Sequence, residues 1–300
     1  YSALGNHNEW SSPNDAGYIS NFHNDSSPIV ALKNYGEYLA IYKKSSTYVL
    51  YGSGPDDFTV KPVADKGCIS PRAVGTINND QYFFDGTSIT PLKFNELGQI
   101  ILSSDKSIKI KPAFDDLNQS LLNKTVCVPY YKKNQLWFYL PSKNSQELNL
   151  CYIYDYFHNA WYLRKAIPIT CATIINDNIF AGTADGRILL EDFGDSFDGG
   201  PIDSFWLSPW FDFKSPDTLK EIVDFNIWLH QDQKYPLDVL YSKNYSSIDQ
   251  VITTISVTAC DDLVWDSSFW DSESWSLTRI LRKNIKINGA VLKWSYYIQK

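Results

Sequence analysis

Apolar and polar positions along this chain repeat one phrase four times. An apolar strand leads into a tight polar turn, an aromatic-rich strand follows, and a second turn feeds a third strand. The stretches run Val30-Ala31-Leu32 to Tyr51, Ala73-Val74-Gly75 to Phe94, Val126-Cys127-Val128 to Tyr154, and Cys171-Ala172-Thr173 to Leu190. Their first turns fall at Tyr35-Gly36, Asn79-Asp80, Lys133-Asn134 and Asp177-Asn178, at intervals of roughly 44, 54 and 44 residues, the range of propeller blades. A strand of this kind cannot bury both faces alone, so consecutive units must stack around a shared axis.

The flanking segments fill in the units. Residues 1–27 are polar and turn-rich and read as a loop leading into a short strand near Tyr18-Ile19. Thr47 to Tyr51 ends at the breaker Gly52-Ser53-Gly54-Pro55, and Phe58 to Val63 then supplies an outer fourth strand, where Pro62 is tolerable at an edge. The second unit closes through Asp85-Gly86, a favoured tight-turn pair. Ile108-Lys109-Ile110-Lys111-Pro112, alternating apolar and basic, is expected as its outer strand, and Asp115 to Asn123 as a short helix. The third unit carries Leu136 to Leu140, Leu150 to Tyr154 and Ala160 to Leu163, and the fourth turns at Asp185-Gly186.

Asp195-Ser196-Phe197-Asp198-Gly199-Gly200-Pro201 marks a boundary, because the periodicity changes after it. The expected organisation is propeller blades over 1–200 and a second domain over 201–300. The second domain reads as longer strands: Phe205 to Phe213, Lys220 to His230, Leu237 to Tyr241, Val251 to Thr258, Arg279 to Ile287 and Ala290 to Ile298. A small β-sandwich is the economical reading. The fold class is therefore all-β: a β-propeller followed by a C-terminal β-sandwich.

Composition agrees with a folded β-protein: hydrophobic residues are 44% and charged residues 20% of the 300 positions, and aromatics reach 15%. The net charge of −7 argues against a general phosphate-binding surface, which needs a basic excess to release counterions. No apolar stretch approaches the ~20 residues of a membrane-spanning helix, so no membrane insertion is expected. Neither a signal peptide nor any Met is present, and sequence before Tyr1 is expected. The five Cys form no CxxC and read as buried free thiols of a reducing compartment, with a Cys127–Cys151 pair as the minor alternative.

Catalytic signatures are scarce. His7, His23, His158 and His230 are scattered and read as surface or turn residues; no GxSxG elbow, phosphate loop or dinucleotide fingerprint occurs. Asp192, Asp195, Asp198 and Asp203 crowd the boundary, and Asp261, Asp262, Asp266 and Asp271 crowd a later stretch. Calcium accepts such oxygens, but the spacing is not that of an EF-hand, and Asp is a standard turn residue. We expect no metal, no cofactor and no enzyme activity. A glycan-binding or sialidase-like propeller is the main alternative, although no Ser-x-Asp-x-Gly-x-x-Trp box is present and only five Arg (72, 164, 187, 279, 282) could form a carboxylate clamp. A cellular interaction scaffold is a third reading. The most unusual local feature is Trp265, Trp270 and Trp275, spaced by five among small polar residues, a period of neither helix nor strand. These rings either seal the end of the sandwich or anchor a neighbouring subunit, since Trp dominates interface energetics.

Several phrases together resemble a known family. Tyr1-Ser2-Ala3-Leu4-Gly5-Asn6 with Glu9-Trp10, Val30 to Leu32 with Ala40 to Leu50, Gly67-Cys68-Ile69-Ser70-Pro71-Arg72 before Phe83-Phe84-Asp85-Gly86, and Ser208-Pro209-Trp210-Phe211-Asp212-Phe213 with Lys220, the Trp loop and Arg282 carry it. Nearly the whole chain resembles the β-propeller tail hub or nozzle proteins (packaged-DNA stabilisation proteins) of short-tailed bacteriophages. The resemblance implies further propeller sequence before Tyr1 and a virion structural protein below the portal, made in the host cytoplasm. It also implies a homo-oligomeric ring, a hexamer in such assemblies, meeting a portal or head–tail adaptor protein and tail fibre or spike proteins. Double-stranded DNA would pass through the lumen without sequence-specific binding. An acidic balance suits a conduit that must release DNA.

Overall fold

The computed structural model describes residues 1–3, 6–10, 16–19, 25–54, 56–194, 196–200, 202–230, 235–246, 250–257, 278–289 and 292–299. The chain divides into two compact units, Tyr1–Phe193 and Gly194–Lys300.

The first unit is all-β, with four blades in a propeller-like arrangement. Blade 1 is the antiparallel meander β1 (Ile29–Tyr35), β2 (Tyr38–Lys43), β3 (Thr47–Tyr51) and β4 (Thr59–Ala64). Blade 2 is β5 (Val74–Ile77), β6 (Asp80–Phe84), β7 (Ile89–Phe94) and β8 (Ile100–Leu102). Blade 3 is β9 (Val126–Tyr130), β10 (Gln135–Leu140), β11 (Leu148–Asp155) and β12 (Ala160–Ile169). Blade 4 has three strands, β13 (Cys171–Ile175), β14 (Asn178–Gly182) and β15 (Ile188–Leu190). The first strands of blades 2, 3 and 4 are neighbours, β5 beside β9 and β9 beside β13.

Local chemistry explains the turns. Asn78 and Asn79 both have positive φ, as do Asn176 and Asp177, the backbone that a two-residue hairpin needs to match strand twist. Gly36 (φ 61°) and Asn134 (φ 53°) serve the same purpose in blades 1 and 3. Later turns are held by aspartates that accept backbone N–H groups: Asp85 from Thr87 and Ser88 in the second turn of blade 2, and Asp57 from Ser53 and Gly54 and Asp155 from His158 in the third turns of blades 1 and 3.

The second blade departs from expectation. Its outer strand is Ile100–Leu102, paired with β7 through Phe94↔Ile100 and Leu92↔Leu102, and not Ile108–Pro112. The cause is a turn at Asn95–Gly98: the Asn95 side chain accepts from the Leu97 and Gln99 N–H groups, and Gly98 has φ 71°. That turn returns the chain along β7 at once. Pro112 instead sits in the first turn of α1 (Lys111–Phe114), where its missing N–H costs nothing. The helix expected over Asp115–Asn123 is a 3-10 segment, Gln119–Lys124, whose N-terminus is capped by Asn118. These two pieces lengthen the interval between the second and third first-turns, and they bury Phe114 and Leu122.

Strand parity assigns each blade two faces. On β6, Gln81 and Phe83 face blade 1, where Tyr42 donates to Gln81 at 2.7 Å and packs at a tilt on Phe83, ring centres 5.0 Å apart. Tyr82 and Phe84 face the other way, toward Tyr154 at 5.5 Å and Phe114 at 5.2 Å. On β10, Phe138 joins the core shared with blade 2, while Trp137 and Tyr139 join the core shared with blade 4. Each fully buried aromatic contributes roughly 2–3 kcal/mol. Polar bonds fix the joints: Tyr35 donates to the Leu92 carbonyl at 2.9 Å, Ser70 to that of Thr125 at 2.8 Å, and Trp161 Nε1 to that of Lys106 at 2.8 Å. At the blade 2–3 joint, a Cβ on Gly75 would lie 2.5 Å from Cys127 Sγ and 3.0 Å from Leu136 Cδ2. Glycine is needed there for contact distance.

The same parity separates the cysteines. Cys127 lies opposite Phe138 and Cys151 opposite Tyr139, so the thiols project from opposite faces of blade 3. Both are free and buried, as is Cys68, whereas Cys171 is exposed.

In the second unit, β16 (Asp203–Leu207), β18 (Tyr235–Lys243), β19 (Gln250–Val257) and β21 (Leu292–Gln299) form an antiparallel sheet in the order β16-β21-β18-β19. β17 (Lys220–His230) and β20 (Thr278–Gly289) form a separate two-stranded ribbon. Leu237, Val239 and Leu292 are buried. β16 is shorter than the span Phe205 to Phe213, because the chain leaves the sheet at Ser208-Pro209 and returns through the Phe211↔Leu292 bridge. Among the described residues no helix is long and apolar enough to cross a membrane.

Candidate functional site

Trp265, Trp270 and Trp275 lie outside the described residues, as do Asp195, Asp261, Asp262, Asp266 and Asp271. The other acidic residues of the boundary are accounted for locally. Asp192 has φ 58° and takes the Tyr130 hydroxyl at 3.2 Å and Lys133 Nζ at 2.6 Å. Asp198 occupies a turn at φ 54°, and Asp203 opens β16. Among the described residues no three His, Cys, Asp or Glu come together as a metal-holding set. His158 is a turn residue whose Nδ1 lies 3.0 Å from Asp155.

The surface that the fold leaves conspicuous is one face of blade 4. Ala172, Ile174, Ile179 and Ala181 point toward blade 3 and pack into its core. The register puts the intervening residues on the opposite face: Thr173 beside Phe180 and Phe180 beside Leu190, then Cys171 beside Gly182 and Gly182 beside Ile188, with Ile175 across from Asn178. Ile188 is 76% exposed, Ile175 53% and Leu190 39%, while Phe180 is half-buried. The exposed side chains of this face within blade 4 are uncharged, with Thr173 and Asn178 beside the apolar ones.

Behind it a charged clasp ties blade 4 to blade 3. Glu191, which follows β15 and is buried, takes Arg164 of β12 at 2.6 Å, and the Arg164 guanidinium lies 5.4 Å from the centre of the Trp137 ring. The neighbouring Asp192 holds Lys133 at the end of the third blade's first turn. Beneath the clasp, Tyr139 faces the Cys151 thiol across the β10–β11 pair, and its buried hydroxyl has no oxygen or nitrogen partner. Burial pushes the Cys151 thiol well above its ordinary range, which removes its nucleophilicity. Arg187, on the rim, is bonded to Asp185 at 2.7 Å; hydrogen bonds from Thr183 and Arg187 hold that carboxyl below the usual range. Arg164 and Arg187 are thus both committed to carboxylates of their own chain.

The opposite end of the blade row is built differently. Blade 1 turns Ile41, Tyr48 and Val60 away from blade 2, and Ile19 of the N-terminal segment packs over them. Asp25 of the same segment is bonded to Ser46, accepts from the Ser27 N–H at 2.7 Å and lies 3.6 Å from the buried Lys43 Nζ. Bonds from Ser27 and Ser46 hold the Asp25 carboxyl far below the ordinary range. Leu32 and Ile29 of β1 stay exposed beside this roof, and so does Tyr18. Reading the sequence missed the roof and the clasp. One signal for the clasp was present: Glu191-Asp192 directly follows the apolar triplet Ile188–Leu190.

No protein-family model matches this chain, and no curated protein matches it. A crystal structure of a protein from Lactobacillus plantarum is similar over 77% of this chain and 72% of its own length, at 13% identity and a TM-score of 0.31.

Proposed function

We propose that this chain is a structural protein of a virion, a tail hub or nozzle subunit of a short-tailed bacteriophage. It stands below the portal, helps to form the DNA conduit and retains packaged DNA. In this reading the copies make a ring, six by the family resemblance, that meets a portal or head–tail adaptor on one side and tail fibre or spike proteins on the other. DNA slides through without sequence-specific contacts. The ribbon β17–β20 stacks on the four-stranded sheet as a C-terminal β-sandwich, and the chain performs no catalysis.

The observation that carries the proposal is the row of four antiparallel blades joined through buried aromatic cores, the propeller architecture that the resemblance implies. The sequence phrases quoted above add the family. Of the five Arg that a sialidase-like clamp could draw on, Arg164 and Arg187 are engaged by Glu191 and Asp185. Electron microscopy of the purified chain, with labelling of particles by an antibody against it, tests the reading. Rings of six and label at the tail are the expected results; a monomer with glycan binding or sialidase turnover would sink it.

A further inference from the structure

We draw no further inference here: the strongest candidate, the buried polar cluster where blade 2 meets blade 3, specifies no ligand, because Asp80 already lies 2.7 Å from Lys93 Nζ and the Tyr154 hydroxyl donates to Asn159 at 2.8 Å, so that the Tyr82 hydroxyl is left as a single group that defines no binder.

Discussion

The two ends of the blade row face the same physical problem and treat it differently. On the face of blade 1 turned away from blade 2, the N-terminal segment forms a roof with Ile19 and the Asp25–Lys43 ion pair. Blade 4 has one strand fewer, and Ile175, Ile188 and Leu190 on its face away from blade 3 are exposed. The Glu191–Arg164 and Asp192–Lys133 clasps lie on the side toward blade 3. A repeat array must cap its ends or use them.

The strongest way to break this contrast is a matched pair of truncations. Ile41→Ala beneath the roof should cost about 2–4 kcal/mol, because a buried Ile is replaced by a cavity, while Ile188→Ala on the open face should stay within about 0.5 kcal/mol. Urea unfolding of both variants checks it, and equal losses would mean that the blade 4 face is covered. Next in size, Gly75→Ala should cost about 1–3 kcal/mol, because the new methyl overlaps Cys127 and Leu136 at an interior joint. A smaller cost there would show that the middle joint has slack.

Glu191→Gln sharpens the comparison from the other side. Replacing the carboxylate by an amide weakens the partly solvated contact with Arg164, so about 1 kcal/mol is expected. Amide exchange should quicken in β14 and β15 and not in β2 and β3. The smallest effect is a pH dependence at the roofed end. The Asp25 carboxyl is held below its ordinary range by Ser27 and Ser46, so it stabilises the fold above the unfolded value of about 4. That contribution disappears as pH falls from there toward the depressed folded value. Asp25→Ala should therefore unfold at lower urea than wild type at pH 6, with the gap closing as pH drops below about 3. A gap that persists in acid would mean that Asp25 acts through its shape and not its charge.

Much of the blade pattern was legible because it is local. Asn78–Asn79 and Asn176–Asp177 announce hairpins through their tolerance of positive φ, and the aromatic strands between the turns announce burial. The second blade's outer strand was misplaced because Ile108–Pro112 alternates as well as Ile100–Leu102 does. The choice between them belongs to the Asn95–Gly98 turn, a side-chain hydrogen-bond arrangement that periodicity does not encode. Cys127 and Cys151 looked pairable until register set them on opposite faces. The Glu191 clasp and the Ile19 roof join residues far apart in the chain, and strand periods are silent about such partners.

Taken alone, the order of residues settled the β-class, the fourfold phrase and the sites of the tight turns, since each depends on backbone preferences within a few positions. Packing settled which face of each blade meets its neighbour, why Gly75 must lack a side chain, and which blade the N-terminal segment roofs. Those outcomes depend on surfaces brought together from distant positions, where contact distance and register, not propensity, set the free energy.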